Sequence, residues 1–470
     1  MLLLCVWAPG GLAAQDAHPH GRASERLGRV VFPVSCATAA QPRFEHAMAL
    51  LHSFWWEQGR AAFEAVLAAD STCAMAYWGV ALNSWGNPFA GGPGGEVLVA
   101  GAKAAERAAA LGAHTARERG FIAAVGALYR DHATVLNATR LRVYSDTLAR
   151  LYRDNPGDTE VAIYYALSLV ATASPTDTTF ERQQRAAAIL NPLFRAHPEH
   201  PGLAHYIIHA NDSPRLAHLG LEAARRYAEI APSAPHAQHM PSHIFVRLGL
   251  WDETVASNQR SFDAGAAYAQ AQGSTGVAPH EFHAMDYMVY GYLQRGEDSA
   301  ARRVVTAAQA LAAASDLRPL VAGYNGSAME ARLALERGDW QAAAKLPVRE
   351  GVAPSGLGAV VRFARGIGAA RSGDVSAARA ELTALAAIED ELTRRQEAYW
   401  ARVVGIKRQA VSAWVALAAG DTAAGLADAK AAADREDVTE KHPVTPGELL
   451  PARELEADLL LALGRFAEAR

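Results

Sequence analysis

The sequence predicts an all-α protein built from successive pairs of helices, and three observations support this prediction. Apolar residues follow the helical period from Arg43 onward. The alternation of apolar and polar residues that marks β-strands is scarce. A short turn containing glycine recurs along the chain, in its later part about every 35 to 47 residues, which is the period of helix-pair repeats.

The turn glycines divide the chain into its predicted elements. Glycine suits the left-handed residue that closes one helix, and a following aspartate can cap the next. The predicted turn glycines are Gly59, Gly249, Gly296, Gly338, Gly373, Gly420 and Gly464. The predicted helix pairs are 43–69, 73–111, 115–153, 158–196, 202–231, 236–270, 279–315, 320–346, 357–391, 397–435 and 447–470. The breaks at 86–95, 172–178 and 345–356 are predicted loops that line a groove.

Composition excludes several function classes. The 470 residues include 45 Lys and Arg against 49 Asp and Glu, which gives a net charge of −4. This balance does not predict a nucleic-acid partner, because such proteins carry a basic surface. No apolar run reaches the roughly 20 residues of a membrane-spanning helix. We therefore expect a soluble helical protein, and the sequence does not define its oligomeric state.

The N-terminus differs from the rest of the chain. The run MLLLCVWAPGGLAA (residues 1–14) resembles the apolar core and cleavage site of a secretory signal, although it lacks a basic start. Residues 15–42 are predicted to be extended. The signal indicates export to the periplasm or the extracellular space, and the alternative is a loose apolar tail. Export would leave Cys36 and Cys73, which predicts one disulfide; two buried free thiols are the alternative.

Two segments suggest a known repeat family. RAAFEAVLAADSTCAMAYWGVAL and RGDWQAAAKL resemble tetratricopeptide repeats, and the resemblance extends over residues 43–470. It implies a right-handed superhelical solenoid whose first helices line a concave groove, where proteins or peptides bind. LLHSFWWEQGRAAFEAVLAADSTCAMAYWG, HYIIHAND, HMPSHIFVRLGLWDE and KHPVTPGELLPARE together are similar to a group of exported bacterial tetratricopeptide proteins. That similarity implies a fold and not a reaction.

Histidines concentrate in the central repeats, residues 197–296. Ten of the 17 histidines lie between His197 and His283. His205 and His209 are four residues apart, as are His239 and His243, so each pair shares one helix face. Two histidines at this spacing can bind one metal ion from a single helix. Pro241, between the second pair, interrupts a helix unless the helix begins there.

The register of these residues relative to the turn glycines indicates one common surface. His236, His239 and His243 precede Gly249 at three offsets, and the first two offsets recur for His283 and Asp286 before Gly296. Tyr290 occupies the third offset before Gly296, and His46 the first offset before Gly59. We expect these side chains to converge in the concave groove.

Three interpretations of this cluster remain open. The first is a site for one or two ions of Zn, Fe, Cu or Mn, with ligands His205, His209, His239, His243, His283 and Asp286. The second is a groove for a protein, a peptide or a small polar ligand, lined by His46, Tyr206, Asn211, Asp212, His236, His280 and Tyr290. In the third, the histidines only fix helix packing.

The resulting functional hypothesis is an exported binding or scaffold protein with a metal site in its groove. The first alternative is a metal-dependent hydrolase or oxidoreductase, and the second is a structural assembly subunit. The sequence indicates no particular catalytic residue. Aromatic residues near the first turn, including Phe54, Trp55, Trp56 and Trp85, are expected to be repeat core rather than a ligand platform.

Overall fold

A computed structural model describes residues 25–273, 279–314, 320–348 and 356–470 of the chain. The predicted signal, residues 1–14, and residues 15–24 lie outside this part. The described residues form α-helices, one short 3-10 helix at Thr38–Ala40, and no β-strand. The predicted all-α solenoid of helix pairs is therefore confirmed.

The helices follow one another in antiparallel pairs joined by short turns. In the N-terminal half they are α1 (Gln41–His52), α2 (Trp56–Ala69), α3 (Ala74–Trp85), α4 (Gly95–Leu111), α5 (Ala116–Tyr129), α6 (Asn137–Asp154), α7 (Thr159–Ala171), α8 (Glu181–Ala196), α9 (Pro201–Asn211) and α10 (Ala217–Ile230). They continue as α11 (Pro235–His239), α12 (Pro241–Arg247), α13 (Trp251–Ala271), α14 (Pro279–Gln294), α15 (Asp298–Ala314) and α16 (Leu320–Glu336). The last are α17 (Trp340–Ala344), α18 (Gly356–Arg371), α19 (Val375–Arg394), α20 (Ala398–Ala418), α21 (Thr422–Asp437) and α22 (Ala452–Ala462).

Six of the seven predicted turn glycines have the left-handed backbone that they were expected to provide, with φ between 64° and 87°. The prediction for Gly59 is wrong, because this residue lies inside α2. Phe54, with φ of 51°, occupies the left-handed turn after α1 instead. The register counted from Gly59 therefore fails, and His46 does not share the position of His236 and His283.

Most helices pack on their neighbours in sequence, as expected of a quasi-one-dimensional array. One exception brings α1 against α9, from the fifth pair. A Cβ atom at Gly202 of α9 would lie only 2.5 Å from Nδ1 of His52, at the end of α1. Glycine at this position thus allows the His52 ring to lie against the α9 backbone.

The extended N-terminal segment, residues 25–37, ties the first repeats to the fifth. The amide of Arg29 donates to the carbonyl of Glu199, and the amide of Ser233 donates to the carbonyl of Arg26. Cys36 at the end of this segment forms the predicted disulfide with Cys73, which directly precedes α3.

A segment of turns and bends, residues 438–451, connects α21 to α22 and contacts helices far from it in sequence. We name it the crossing segment. The side chain of Asn325 on α16 donates to the carbonyl of Val444, at 2.8 Å. The amide of Glu440 donates to the carbonyl of Pro175 in the loop after α7, at 2.8 Å. The crossing segment therefore joins early and late repeats across the array.

The helix that carries three of the predicted site histidines is broken at Pro241. Proline lacks an amide hydrogen and is tolerated at the first position of a helix, where it begins α12. Met240, between α11 and α12, keeps right-handed helical dihedrals, so the two short helices continue one path. Among the described residues, no helix is long and apolar enough to cross a membrane.

Candidate metal centre

Three histidines from α9 and α11 form the first group, which we name triad 1. His205 and His209 lie one turn apart on α9, whose residues are all buried. The Nε2 atom of His205 lies 3.1 Å from Nε2 of His209 and 3.2 Å from Nε2 of His236. Candidate ligand atoms of all three lie within 4.8 Å of one another. His236 was predicted as a groove residue, and the structure brings it to the same point as the two α9 histidines.

Triad 2 consists of His239, His243 and His283, from α11, α12 and α14. The Nε2 atoms of His239 and His243 are 2.9 Å apart. The ring centroid of His283 lies 4.4 Å from that of His239. Candidate ligand atoms of this group also lie within 4.8 Å of one another. Pro241 thus leaves His239 and His243 facing each other across the break.

The two triads adjoin. The rings of His236 and His239 have centroids 6.0 Å apart, and the rings of His209 and His243 are 6.2 Å apart. Six histidines from four helices therefore form one continuous cluster. The i,i+4 spacing in the sequence indicated the pairs His205/His209 and His239/His243. The packing of successive helix pairs brings His236 and His283 next to them.

In three of these histidines, a hydrogen bond determines which ring nitrogen carries the hydrogen. Nδ1 of His205 donates to the backbone carbonyl of His52, at 2.6 Å. Nδ1 of His239 donates to Oδ1 of Asn258, at 2.6 Å, and Nδ1 of His243 donates to the Asp212 carboxylate, at 2.9 Å. The neutral rings therefore present bare Nε2 atoms toward the centre of each triad, as metal-binding histidines do.

The amide of Asn258 is oriented by its own helix. Its Nδ2 atom donates to the carbonyl of Thr254, one turn earlier in α13, so its oxygen must face His239. The Asp212 carboxylate also accepts from Arg247 Nε, at 2.9 Å, and Lys441 Nζ lies 3.8 Å away. These cationic neighbours keep Asp212 ionised and able to accept from His243.

Burial governs the ionisation of the cluster. Desolvation, and then repulsion by neighbouring histidines, holds the pKa of each triad 1 imidazole well below its ordinary value. Burial does the same to the pKa of His239 and His283. Burial also lowers the pKa of His243, although the hydrogen bond to Asp212 opposes this shift. The triads are therefore neutral nitrogen donors at neutral pH.

A third polar group lies beside triad 1, and the sequence analysis missed it. The Glu160 carboxylate on α7 accepts from Nε2 of His52, at 3.0 Å, and from Nε2 of His200, at 2.9 Å. Burial opposes its ionisation, but attraction to these two histidines lowers the pKa of Glu160 well below its usual value. One signal was available, because Glu160 lies in the first turn of a helix that is otherwise mostly apolar.

This third group supports triad 1. The hydroxyl of Tyr206 donates to Nδ1 of His52, at 3.1 Å, while the carbonyl of His52 accepts from His205. Direct hydrogen bonds from His52 and His200 already occupy both oxygens of Glu160, although Nδ1 of His200 has no partner within the described residues. We interpret this group as a support for the His205 ring.

Several predicted residues lie in other environments. Asp286 binds Nε of Arg332, at 2.8 Å, and accepts from Asn325. His46 is exposed and lies 3.6 Å from Glu25. Asn211 donates to the carbonyl of Ile207 within its own helix.

Tyr290 packs on Trp251, and the guanidinium of Arg332 lies over its ring. Burial lowers the pKa of His280 to about 4, and Nε2 of this residue has no hydrogen-bond partner within the described residues.

The crossing segment covers triad 2. The hydroxyl of Tyr287 lies 3.4 Å from Nδ1 of His243 and donates to the carbonyl of Thr445, at 3.3 Å. Arg247, beside Asp212, forms an ion pair with Glu440. The predicted loop at 86–95 also contributes, because Phe89 packs on His209 with ring centroids 4.5 Å apart. The cluster is thus enclosed by the crossing segment and by one of the predicted loops.

Comparison with known proteins finds only distant similarity. No family model matches the chain, and no curated protein matches it. Among solved structures, the APC/C hetero-tetramer Cut9–Hcn1 is similar at 12% identity, covering 90% of this chain and 76% of that one, with a TM-score of 0.37. The P58(IPK) TPR domain is similar at 10% identity over 91% and 99%, with a TM-score of 0.23. The human IFIT1 dimer with PPP-AAAA is similar at 11% identity over 72% and 86%, with a TM-score of 0.28. Similarity this low gives no information about ligand or activity.

Proposed function

We propose that this protein binds transition-metal ions at triad 1 and triad 2. One observation carries the proposal. His239 and His243 each donate Nδ1–H to a fixed acceptor, so two bare Nε2 atoms face each other at 2.9 Å. Two lone pairs at this distance repel each other unless a cation lies between them. A metal ion bound by both nitrogens removes the repulsion.

The distances fit metal coordination. Metal–imidazole bonds are about 2.0 to 2.1 Å long, so adjacent ligand nitrogens at one ion lie roughly 2.9 to 3.4 Å apart. The three Nε2 separations given above, 2.9, 3.1 and 3.2 Å, fall in this range. Neutral imidazoles without a carboxylate among them suit Zn, Cu or Fe better than the hard ions Mg and Ca. Mn fits this nitrogen set less well.

The number of ligands supports a second candidate function, a metal-dependent enzyme. Structural zinc sites close the coordination shell with four protein ligands, whereas catalytic sites use three and leave a position for water or substrate. Each triad offers three histidines. Such a centre would activate water for hydrolysis or, with a redox metal, transfer electrons. The identity of the ion separates these two reactions.

The scaffold and export hypotheses remain part of the proposal. A helical array presents a long surface to protein or peptide partners, but the central groove residues Tyr206 and Asn211 are buried. A partner would therefore bind outside the histidine cluster. The disulfide supports an oxidising compartment, since such bonds persist outside the cytoplasm.

Site-specific variants test the proposal. The protein is stripped with a chelator, loaded separately with Zn, Cu(II), Fe(II) or Mn(II), desalted and analysed for bound metal. We expect two ions per chain in the wild type, and one each in His209→Ala and His283→Ala. His280→Ala is the control, because this buried histidine belongs to neither triad. Equal metal content in all four proteins, or no retained metal in any, would refute the proposal.

A further inference from the structure

Triad 2 offers neutral nitrogen donors to an ion. It consists of His239, His243 and His283, and no carboxylate of the described residues belongs to it. His239 and His243 are each 2% exposed. Nδ1 of His283 is buried and has no hydrogen-bond partner within the described residues, so this ring also has a nitrogen available to an ion. An ion bound here would therefore keep its full charge inside the protein.

The charged group behind triad 2 is already balanced. Nδ1 of His243 donates to Asp212. The Asp212 carboxylate pairs with Arg247, at 2.9 Å, and lies 3.8 Å from Nζ of Lys441. Arg247 also pairs with Glu440. Two carboxylates thus face two cations, and this group has no negative charge left to neutralise a bound ion.

Lys441 is the member of this group with the poorest contacts. Its side chain is 7% exposed, and Nζ has no hydrogen-bond partner within the described residues. The separation of 3.8 Å from Asp212 allows attraction but is too long for a hydrogen bond. Burial and repulsion by Arg247 lower the pKa of Lys441 to about 8, so the ammonium group stays charged at neutral pH. A buried ammonium without hydrogen bonds is costly to the fold, which indicates that its charge has a function.

We propose that triad 2 selects monovalent copper over divalent ions, with Lys441 as a residue that determines this selectivity. The inference rests on the proposed metal function and specifies its ion. The cost of burying a charge grows with the square of the charge, so a divalent ion costs about four times as much as a monovalent one. Zinc also completes its shell with a fourth ligand such as water, which would have to be buried too, whereas Cu(I) is stable with neutral nitrogen donors alone.

The lysine charge strengthens this preference. At the same position in triad 2, a divalent ion is repelled by Lys441 about twice as strongly as a monovalent ion. Asp212 attracts both ions, and the nearby ammonium group offsets part of that attraction. Removal of the lysine charge should therefore favour zinc more than copper.

Competition between Cu(I) and Zn tests the inference. The protein is His209→Ala, in which triad 2 keeps its three histidines and triad 1 does not. It is dialysed without oxygen against equal concentrations of Zn and acetonitrile-stabilised Cu(I), then against buffer, and its bound metals are determined. We expect close to one equivalent of copper and less than about a tenth of an equivalent of zinc. Equal uptake, or a preference for zinc, would overturn the inference and leave the proposed metal function standing. Retention of neither metal would refute both.

Variants at two buried lysines, made in the same protein, test the role of Lys441. Lys441→Met removes the charge and should raise the ratio of zinc affinity to Cu(I) affinity about tenfold. Lys441→Arg keeps the charge and should keep the original ratio. Lys407→Met is the matched control, because this lysine is bonded to Glu448 and not to Asp212. Thermal unfolding verifies that each variant is folded. An unchanged ratio in Lys441→Met, or the same increase in Lys407→Met, would contradict the role of Lys441.

Discussion

The Nε2 atoms of His239 and His243 face each other at 2.9 Å. The Nδ1 atoms of the two rings donate hydrogen bonds to Asn258 and Asp212. The sequence places these residues four apart, and Pro241 divides their helix. The helix path nevertheless continues through Met240, so the two rings meet.

The carboxylate behind triad 2 should control metal affinity. Asp212→Asn removes the charge that holds Nδ1–H of His243 and pairs with Arg247. Loss of such a supporting group typically lowers metal affinity by about 10- to 100-fold. We expect this loss at triad 2 only, measured by competition with a chromophoric chelator, while triad 1 keeps its affinity.

A second buried carboxylate provides the control for that experiment. Asp286 was predicted to be a metal ligand or a neighbour of the ligands, but it is bonded to Arg332 and Asn325. Asp286→Asn leaves a buried arginine without its counter-ion and should cost about 3 to 5 kcal/mol of unfolding free energy. Its metal affinity should equal that of the wild type. A loss of metal in this variant would show that Asp286 belongs to the metal site.

The crossing segment should loosen in acid. His442 donates Nε2–H to the carbonyl of Phe89, and its Nδ1 accepts from the amide of Val444. The bond from Val444 requires the neutral ring, because a protonated Nδ1 cannot accept. Burial lowers the pKa of His442 to about 4. The unfolded chain therefore binds a proton below about pH 6.5 that the folded protein does not bind.

His442 therefore stabilises the folded protein at neutral pH more than in acid. Stability from His442 is fully present above pH 6.5 and is lost as the pH falls toward 4, by about 1.4 kcal/mol per pH unit. In His442→Gln, the free energy of unfolding should decrease less steeply with acid across this window, as measured by urea denaturation. Parallel curves for the two proteins would contradict the expectation.

The contact between α1 and α9 should not tolerate a methyl group. Gly202→Ala would place Cβ 2.5 Å from Nδ1 of His52 and displace the ring that accepts from Tyr206. Overpacking of this kind costs about 1 to 3 kcal/mol. Gly126→Ala is the matched control, because a Cβ there meets nothing within 4 Å and alanine favours a helix by about 1 kcal/mol. Thermal unfolding should therefore shift in opposite directions for the two variants.

The sequence predicted the repeat architecture well because the turns carry a local chemical signal. Gly249 and Gly296 adopt the left-handed backbone, and each is followed within two residues by a new helix or its capping residue. The glycine signal fails at Gly59, since Phe54 takes that conformation without being a glycine. A bulky residue with this backbone has no sequence signature, because it is imposed by tertiary packing.

Both the local i,i+4 spacing and the register before the turn glycines indicated residues of the histidine cluster. The i,i+4 pairs identified four of the six triad histidines as partners on one helix face. The grouping of His236 with His205 depends on how the fifth and sixth pairs pack, which periodicity does not encode. The same holds for His52 and Glu160, which are 108 residues apart and meet through tertiary contacts. The crossing segment lacks periodicity, so its course could not be anticipated.

The most direct test of the metal proposal is elemental analysis of the untagged protein as purified from its native compartment, beside His209→Ala/His243→Ala. These substitutions remove one histidine from each triad and leave the supporting group at Glu160 intact. We predict close to two equivalents of Zn, Cu or Fe in the wild type and none in the double variant. A folded wild-type protein that holds no metal, even after reconstitution, would contradict the proposal.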